Sequence, residues 1–189
     1  MKKALMIVSV LVVAVISTAC INNIAVQELN NKAAEFMQKG DYESAMSRLQ
    51  ASLDLDSTMY QTYYNLGVAS INAKKFDKAI EALEGGIKIK PDFADFYYSL
   101  GVAQISLADE IMEPEEEDDI DEDDVKEDKK AEIDSEDVEK AKELKKAAIE
   151  NLNKYLEMAP DSQDKESIAE MIKQSEEFIS GEKKEVVQE

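Results

Sequence analysis

The sequence contains no histidine and no tryptophan, and its single cysteine is Cys20. Without histidine the chain cannot form a Ser-His-Asp triad, a Cys-His pair or a histidine-ligated metal site. With one cysteine it cannot form an internal disulfide. No strand pattern is visible, and no glycine-rich phosphate loop follows a strand. Carboxylates are abundant, but they stand in a solvated charge run that does not create a general acid. We therefore expect no enzymatic activity, no cofactor and no structured metal site.

Basic residues are scarce as well: 22 Lys and Arg stand against 42 Asp and Glu, which gives a formal net charge of −20. Nucleic acid repels such an acidic chain, so we expect no nucleic-acid partner. Residues 109–139 contain 19 acidic and 3 basic side chains, and residues 115–124 are acidic at every position except Ile120.

A block of like charges repels itself and buries little, so the acidic segment from about residue 109 to residue 134 is predicted to be disordered. It could be a solvated loop, a docking strip for a basic partner or a weak binder of divalent cations. The spaced calcium-loop pattern with its central glycine is missing, which argues against a structured calcium site.

The amino terminus has the pattern of an export signal. Lys2 and Lys3 precede an apolar run over residues 5–16 that only Ser9 interrupts, and small residues follow it. The run is shorter than the about 20 residues that span a bilayer, and the whole pattern is typical of a signal peptide. Thr-Ala-Cys at residues 18–20 resembles the lipobox of bacterial lipoproteins, although Ser17 stands where Leu is usual.

The lipobox resemblance implies a signal peptide over residues 1–19, lipid attachment at Cys20 and a short tether over residues 20–25. Palmitate-type acyl chains would anchor the protein to a membrane of the bacterial cell envelope, on the periplasmic or surface face, and two or three such chains hold stably. An ordinary signal peptide with an incidental thiol, or an uncleaved anchor, is the alternative. The sequence does not distinguish the inner from the outer membrane.

The centre of the chain repeats itself every 34 residues. The apolar positions of residues 76–89 recur in residues 42–55, and those that open residues 60–93 recur from residue 94 onward. The recurring sets include Tyr63, Leu66 and Gly67 with Tyr97, Leu100 and Gly101. A fixed period of this length is the signature of stacked helical hairpins. Small residues let the helices of a hairpin approach closely, and Pro91 ends the second helix.

Residues 60–93 resemble the tetratricopeptide repeat (TPR). The family pattern has an aromatic at position 4, Leu-Gly at 7 and 8, an aromatic at 17, Ala at 20 and Pro at 32. It is met by Tyr63, Leu66, Gly67, Phe76, Ala79 and Pro91. Ser70 and Gly86 depart from it, because an aromatic and an alanine are usual there. The resemblance implies an all-α fold, a TPR-type helical-hairpin solenoid.

The resemblance divides the chain into three repeats: a degenerate first repeat over residues 26–59, a second over residues 60–93 and a third over residues 94–160. The second helix of the third repeat lies 69 residues after its counterpart, so about 35 residues are inserted at the turn. Long insertions cost little closure entropy, so the two helices of this split repeat should still pair. We expect the second of them to span about Ser135 to Met158, with Ser135 as its cap.

After the third repeat, residues 161–181 have one apolar face at helical spacing. This pattern predicts a capping helix that covers the exposed end of the array. Residues 182–189 are predicted to be a frayed tail.

The TPR resemblance also implies a concave groove lined by the first helix of each repeat. The family's lining positions, together with its frequent Asn at position 6, give Asn30, Met37, Tyr64, Asn65, Ile71, Asn72, Tyr98 and Ile105 as peptide-contact residues. Tyrosines offer flat amphipathic surfaces and amides offer donors and acceptors, which suits an extended or helical peptide. Tyr64 and Tyr98 could instead pack between helices. The Lys/Arg clamp of chaperone-tail-binding TPR proteins is missing, and of its positions only Asn65 agrees.

Taken together, these patterns indicate a non-catalytic scaffold or adaptor: a TPR lipoprotein that binds a peptide segment of an unidentified protein partner. The alternative is a structural spacer that self-associates. Cation binding by the acidic segment is a further, weaker hypothesis.

Overall fold

The structure is a computed structural model and describes residues 23–113 and 134–181. The predicted signal peptide, Cys20, the acidic residues 115–124 and the predicted tail lie outside these ranges. Every regular element within them is an α-helix. The helices are α1 (residues 23–38), α2 (Tyr42–Leu55), α3 (Tyr60–Asn72), α4 (Phe76–Ile89), α5 (Ala94–Met112), α6 (Ser135–Met158) and α7 (Lys165–Ser180).

The turns that follow α1 and α3 have the same backbone geometry. Gly40 has a φ of 75°, a left-handed conformation that glycine adopts without steric cost. Lys74, which is 34 residues later, has a φ of 55°. Asp41 then caps α2, since its Oδ1 accepts a hydrogen bond of 3.1 Å from the backbone N–H of Ser44. The repeat therefore fixes the turn geometry even where the glycine is not repeated.

Helix α6 begins at Ser135 and ends at Met158, which are the bounds expected from the sequence. Its cap is Asp134 and not Ser135, so the predicted capping residue was wrong by one position. Asp134 has an extended backbone and its carboxylate accepts a hydrogen bond of 3.4 Å from the N–H of Glu136. A cap residue must stand before the first helical residue, and Ser135 is already helical.

The residues up to Phe96 form one compact unit and those from Tyr97 form another, so the division falls within α5. In the first unit, short turns join α1 to α4 in sequence, and α3 packs on both α2 and α4. A Cβ atom at Gly67 would lie 2.5 Å from Leu83 Cγ, so glycine lets α3 and α4 approach. The core of this unit includes a cluster of Ala33, Ala45, Met46, Leu49, Leu53, Leu66, Ala69 and Ala82.

In the second unit α5 and α6 lie side by side although residues 113–134 separate them in the sequence. A Cβ atom at Gly101 would lie 2.8 Å from Leu152 Cγ, and Asn151 Nδ2 donates a hydrogen bond of 2.9 Å to Gln104 Oε1. Helix α7 packs on α6 and buries Ile168. Helix α5 continues to Met112, beyond residue 109, where the acidic segment was expected to begin.

Candidate functional site

One face of α1 and α3 has no charged side chain. Because residues three and four apart share a helix face, eleven positions form two adjacent stripes. These positions, called the uncharged face below, are Gln27, Asn30, Ala34, Met37 and Gln38 of α1 and Gln61, Tyr64, Asn65, Val68, Ile71 and Asn72 of α3. Each is at least partly exposed. Helix α3 has no charged residue at any position, whereas α1 has Glu28, Lys32 and Glu35 outside the face.

Asn30 joins three helices. Its Nδ2 donates hydrogen bonds to Ser52 Oγ of α2 at 2.8 Å and to the carbonyl of Val26 at 2.9 Å. Its Oδ1 accepts a hydrogen bond of 3.1 Å from Thr62 Oγ1 of α3. Ser52 and Thr62 are fully buried. Both amide hydrogens of Asn30 are therefore used within the fold, and only the second lone pair of its oxygen is left for the predicted contact with a peptide.

The two asparagine side chains of α3 differ in their hydrogen bonding. Asn65 is half-buried, and its side chain forms no hydrogen bond with another residue in the part of the chain that the structure describes. Asn72 is exposed and donates a hydrogen bond of 2.8 Å to the carbonyl of Val68, one turn earlier. An amide that is partly desolvated and unpaired gains most from a hydrogen-bonding ligand. Among the polar side chains of the face, that of Asn65 would therefore gain most from a hydrogen bond to a ligand.

Three apolar members of the face, Met37, Val68 and Ile71, are half-buried, and the fourth, Ala34, is exposed. Met37 packs against the core of the first unit and keeps part of its surface exposed. Side chains of this kind provide apolar contact area beside the amides, and methionine adapts readily to different shapes.

Tyr64 belongs to a cluster of four aromatic rings. Its ring meets Phe93 edge-to-face at 5.3 Å between centroids and Phe96 at 5.8 Å, and Tyr60 lies 5.5 Å from Phe93. Phe96 is fully buried, whereas the other three rings are half-buried. Tyr64 therefore packs against other rings, as the alternative interpretation expected, and part of its surface is exposed as well. Tyr60 and Phe93 were not among the predicted site residues, although their four-residue and three-residue spacings from Tyr64 and Phe96 could have indicated them.

Gly86 makes room for this cluster. A Cβ atom there would overlap the ring of Phe96, so the alanine that the TPR pattern usually has at this position does not fit. Glycine in place of the usual alanine at residue 86 therefore allows the four aromatic rings to pack together.

The two remaining predicted residues, Tyr98 and Ile105, belong to the second unit and are half-buried. The ring of Tyr98 lies 5.4 Å from that of Tyr155 on α6, at an interplanar angle of 46°. Burial raises the pKa of Tyr98, and the nearby Asp164 and Tyr155 add to this effect. Tyr98 is thus held as a neutral phenol in contact with α6.

The chemistry of the described residues is that of contact and hydrogen bonding. In residues 23–113 and 134–181, no three His, Cys, Asp or Glu side chains converge on a point where a metal ion could be held. The helices of these two ranges include none that is long and apolar enough to cross a membrane. The uncharged face offers amides, a phenol and apolar surface, which can pair a peptide backbone and cover its side chains.

Residues 36–105 match the family model of the tetratricopeptide repeat. None of the curated proteins matches the sequence. Among solved structures, the second TPR domain of human RPAP3 in complex with an HSP70 peptide is 12% identical, with a TM-score of 0.56 over 82% of this chain and 98% of that chain. The TPR2B domain of yeast Sti1 in complex with pHsp70 is 16% identical, with a TM-score of 0.54 over 82% and 98%.

The Yersinia enterocolitica type III secretion chaperone SycD, in complex with a peptide of the translocator YopD, is 17% identical. Its TM-score is 0.55 over 79% of this chain and 91% of that chain. At these identities the similarities show the fold and nothing finer. The predicted fold class is confirmed: the protein has an all-α fold of TPR-type helical hairpins.

Proposed function

We propose that this protein is a non-catalytic interaction module that binds a peptide segment of another protein on the uncharged face. The observation that supports the proposal best is the half-buried amide of Asn65, which has no partner in the described part of the chain. An extended peptide has unpaired N–H and C=O groups, and an asparagine side chain can pair with both kinds. The apolar residues of the same face cover the peptide's side chains.

The chemistry of the face selects the class of peptide. Its eleven residues include no Lys or Arg, so an acidic tail finds no counter-charge there. The human RPAP3, yeast Sti1 and Yersinia SycD structures, which have a similar fold, are complexes with an HSP70 peptide, with pHsp70 and with a peptide of YopD. For the present chain, a segment of uncharged and apolar residues is the better match, because burying it desolvates no unpaired charge.

Binding is tested with a displayed library of random peptides. Peptides selected on the full chain are expected to bind the Asn65→Ala variant about tenfold more weakly, which corresponds to about 1.4 kcal/mol. Asn153→Ala is the matched control, because Asn153 is exposed on α6 and lies outside the uncharged face. If both variants bind the selected peptides like the wild-type protein, the face is not the binding site.

We propose further that the protein is anchored to a bacterial envelope membrane through lipid on Cys20. The support is the sequence alone: a charged start, a short apolar run and the only cysteine directly after Thr18 and Ala19. Cells fed an alkyne analogue of palmitate should label the protein and retain it in the membrane fraction. Cys20→Ser should remove the label and release the protein. Labelling that survives this substitution contradicts the proposal.

Cation binding by residues 115–124 stays a prediction, because these residues lie outside the described ranges. Calcium titration by calorimetry before and after their deletion tests it. Self-association, the other alternative, is favoured by a separate surface of the first unit.

A further inference from the structure

A second surface of the first unit is a groove between α2 and α4, with α3 at its base. It encloses about 1040 Å³ and shares no residue with the uncharged face. It is open because the positions that face it from α2 and α4 are small, namely Ser47, Ala51, Ala82 and Gly85. Its apolar base consists of Met46, Leu53, Tyr63 and Leu66. We call this surface the α2/α4 groove.

The two edges of the α2/α4 groove have opposite charges at their ends. Glu43 and Asp54 stand on the α2 edge, and Lys78 and Lys88 stand on the α4 edge. All four are exposed. Lys78 and Lys88 have no ion-pair partner in the described part of the chain. The α4 edge also has Glu81 midway, opposite the uncharged residues of α2.

The acidic residues of the α2 edge form only weak interactions within the chain. Glu43 Oε1 lies 3.9 Å from Lys75 Nζ, with both side chains more than half exposed. Asp54 accepts a hydrogen bond of 3.2 Å from Gln50 Nε2 on the same edge. Exposed pairs of this kind contribute little, so the carboxylates can exchange these partners for others at little cost.

The charges on the two edges are in register. Short turns reverse the chain between α2 and α3 and again between α3 and α4, so α2 and α4 run in the same direction. Glu43 and Lys78 stand in the first turns of their helices, and Asp54 and Lys88 in the last turns. At the same end of the groove, Ile89 of α4 is exposed to 39%.

We propose that the α2/α4 groove is occupied by a second copy of this chain, in a dimer whose two-fold axis runs along the groove. This rotation lays the α2 edge of each copy over the α4 edge of the other and preserves direction along the groove. Glu43 then faces Lys78 and Asp54 faces Lys88, each twice. A two-fold axis across the groove would instead set acidic edge against acidic edge and basic against basic, which is repulsive.

The unit that bears the groove has little net charge of its own. Residues 21–96 contain 11 acidic and 8 basic side chains, a net charge of −3, so the unit that bears the groove is almost neutral. Burial of the apolar base and of Ile89 supplies the attraction, and the edge charges fix the register.

Charge exchange on the edges tests the dimer. The full chain is purified in non-ionic detergent, and its mass is measured by native mass spectrometry and sedimentation velocity. The wild-type chain is expected to be a dimer. Glu43→Lys with Asp54→Lys makes both edges basic, and Lys78→Glu with Lys88→Glu makes both acidic. Each double variant alone should dimerise about tenfold more weakly or not at all.

An equal mixture of the two double variants should restore the dimer as a mixed species, because each acidic edge then meets a basic one. Lys154→Glu with Lys173→Glu is the matched control, since these exposed residues of α6 and α7 do not line the groove. It should dimerise like the wild-type chain.

A wild-type chain that stays monomeric at all accessible concentrations overturns the proposal. So does a dimer that survives both double variants, or a mixture that fails to reassociate. A monomeric chain that holds a different protein at the groove overturns it too. Failure of the Asn65→Ala binding test does not affect this inference, because the two surfaces are separate.

Discussion

The ammonium group of Lys145 on α6 lies 2.6 Å from Oδ1 of Asp109 on α5. The side chain of Lys145 is 8% exposed, whereas that of Asp109 is 59% exposed. On its other side, the ammonium group stands 5.0 Å from the ring centroid of Phe178 on α7. One buried cation on α6 therefore contacts both α5 and α7, and it is compensated by one carboxylate and one aromatic face.

Asp109→Asn should destabilise the protein more than Lys145→Met does. Removal of the carboxylate leaves the buried ammonium group without its counter-charge, at a cost of about 1–3 kcal/mol. Lys145→Met keeps the packed stem and removes the buried charge, so its cost should stay below about 1 kcal/mol. Urea denaturation measures both.

In the Lys145→Met background, Asp109→Asn should cost almost nothing, because the charge that it strands is gone. Glu110→Gln is the matched control: it removes the same charge from the next residue, which is exposed. Equal costs of Asp109→Asn in the two backgrounds would show that the ion pair does not account for the effect.

Gly86→Ala should destabilise the protein although alanine is usual at this position of a TPR. In a roomy helix the change would be favourable by about 0.5–1 kcal/mol. Here the new Cβ atom meets the ring of Phe96, so we expect a cost of about 1–3 kcal/mol. Thermal unfolding shows whether the substitution stabilises or destabilises the protein. Phe96→Leu should remove most of that cost, and a stabilising Gly86→Ala would show that the ring moves aside easily.

Asn30→Ala should cost about 1–3 kcal/mol, because it leaves the fully buried hydroxyl groups of Ser52 and Thr62 without the partner that joins them. Asn72→Ala removes only a local hydrogen bond on an exposed residue and should stay within about 0.5 kcal/mol. Chemical denaturation of the two variants compares them. Equal losses of stability in the two variants would show that the hydrogen bonds of Asn30 to α2 and α3 do not stabilise the fold.

Tyr98 should reduce stability at high pH. Its pKa is raised in the folded state, chiefly by burial, so folding favours the neutral phenol. The contribution is complete below the unfolded tyrosine pKa of about 10 and is lost as pH rises through the folded value. The unfolding free energy of the wild-type protein should therefore fall relative to that of Tyr98→Phe between about pH 9 and about pH 12. Parallel curves for the two proteins would contradict the prediction.

The helices and their pairing could be predicted because side-chain sizes recur at a fixed spacing. Gly67 and Gly101 each face a leucine of the paired helix, Leu83 and Leu152. The 69-residue spacing placed α6 beside α5 because the small and large positions still matched across the acidic segment. Size patterns of this kind are local and additive, so a single sequence reveals them.

The partners of individual polar and aromatic groups could not be predicted in the same way. Asn30 forms hydrogen bonds with Ser52 and Thr62, which are 22 and 32 positions away. No rule of sequence spacing identifies these two residues as its partners. Tyr63 and Tyr64 are adjacent, yet one lies against Gly85 and the other joins the ring cluster. The choice depends on the helix rotation, which several distant contacts set together.

At Ala108, the residue 34 positions after Lys74, the chain makes no turn: the residue is fully buried and α5 continues to Met112. The α5/α6 pair is held together at Gly101 and Gln104, two to three turns before Met112, and at Asp109, less than one turn before it. We therefore expect that replacing the residues between 113 and 134 by an epitope tag or a fluorescent reporter leaves the helices at either end undisturbed.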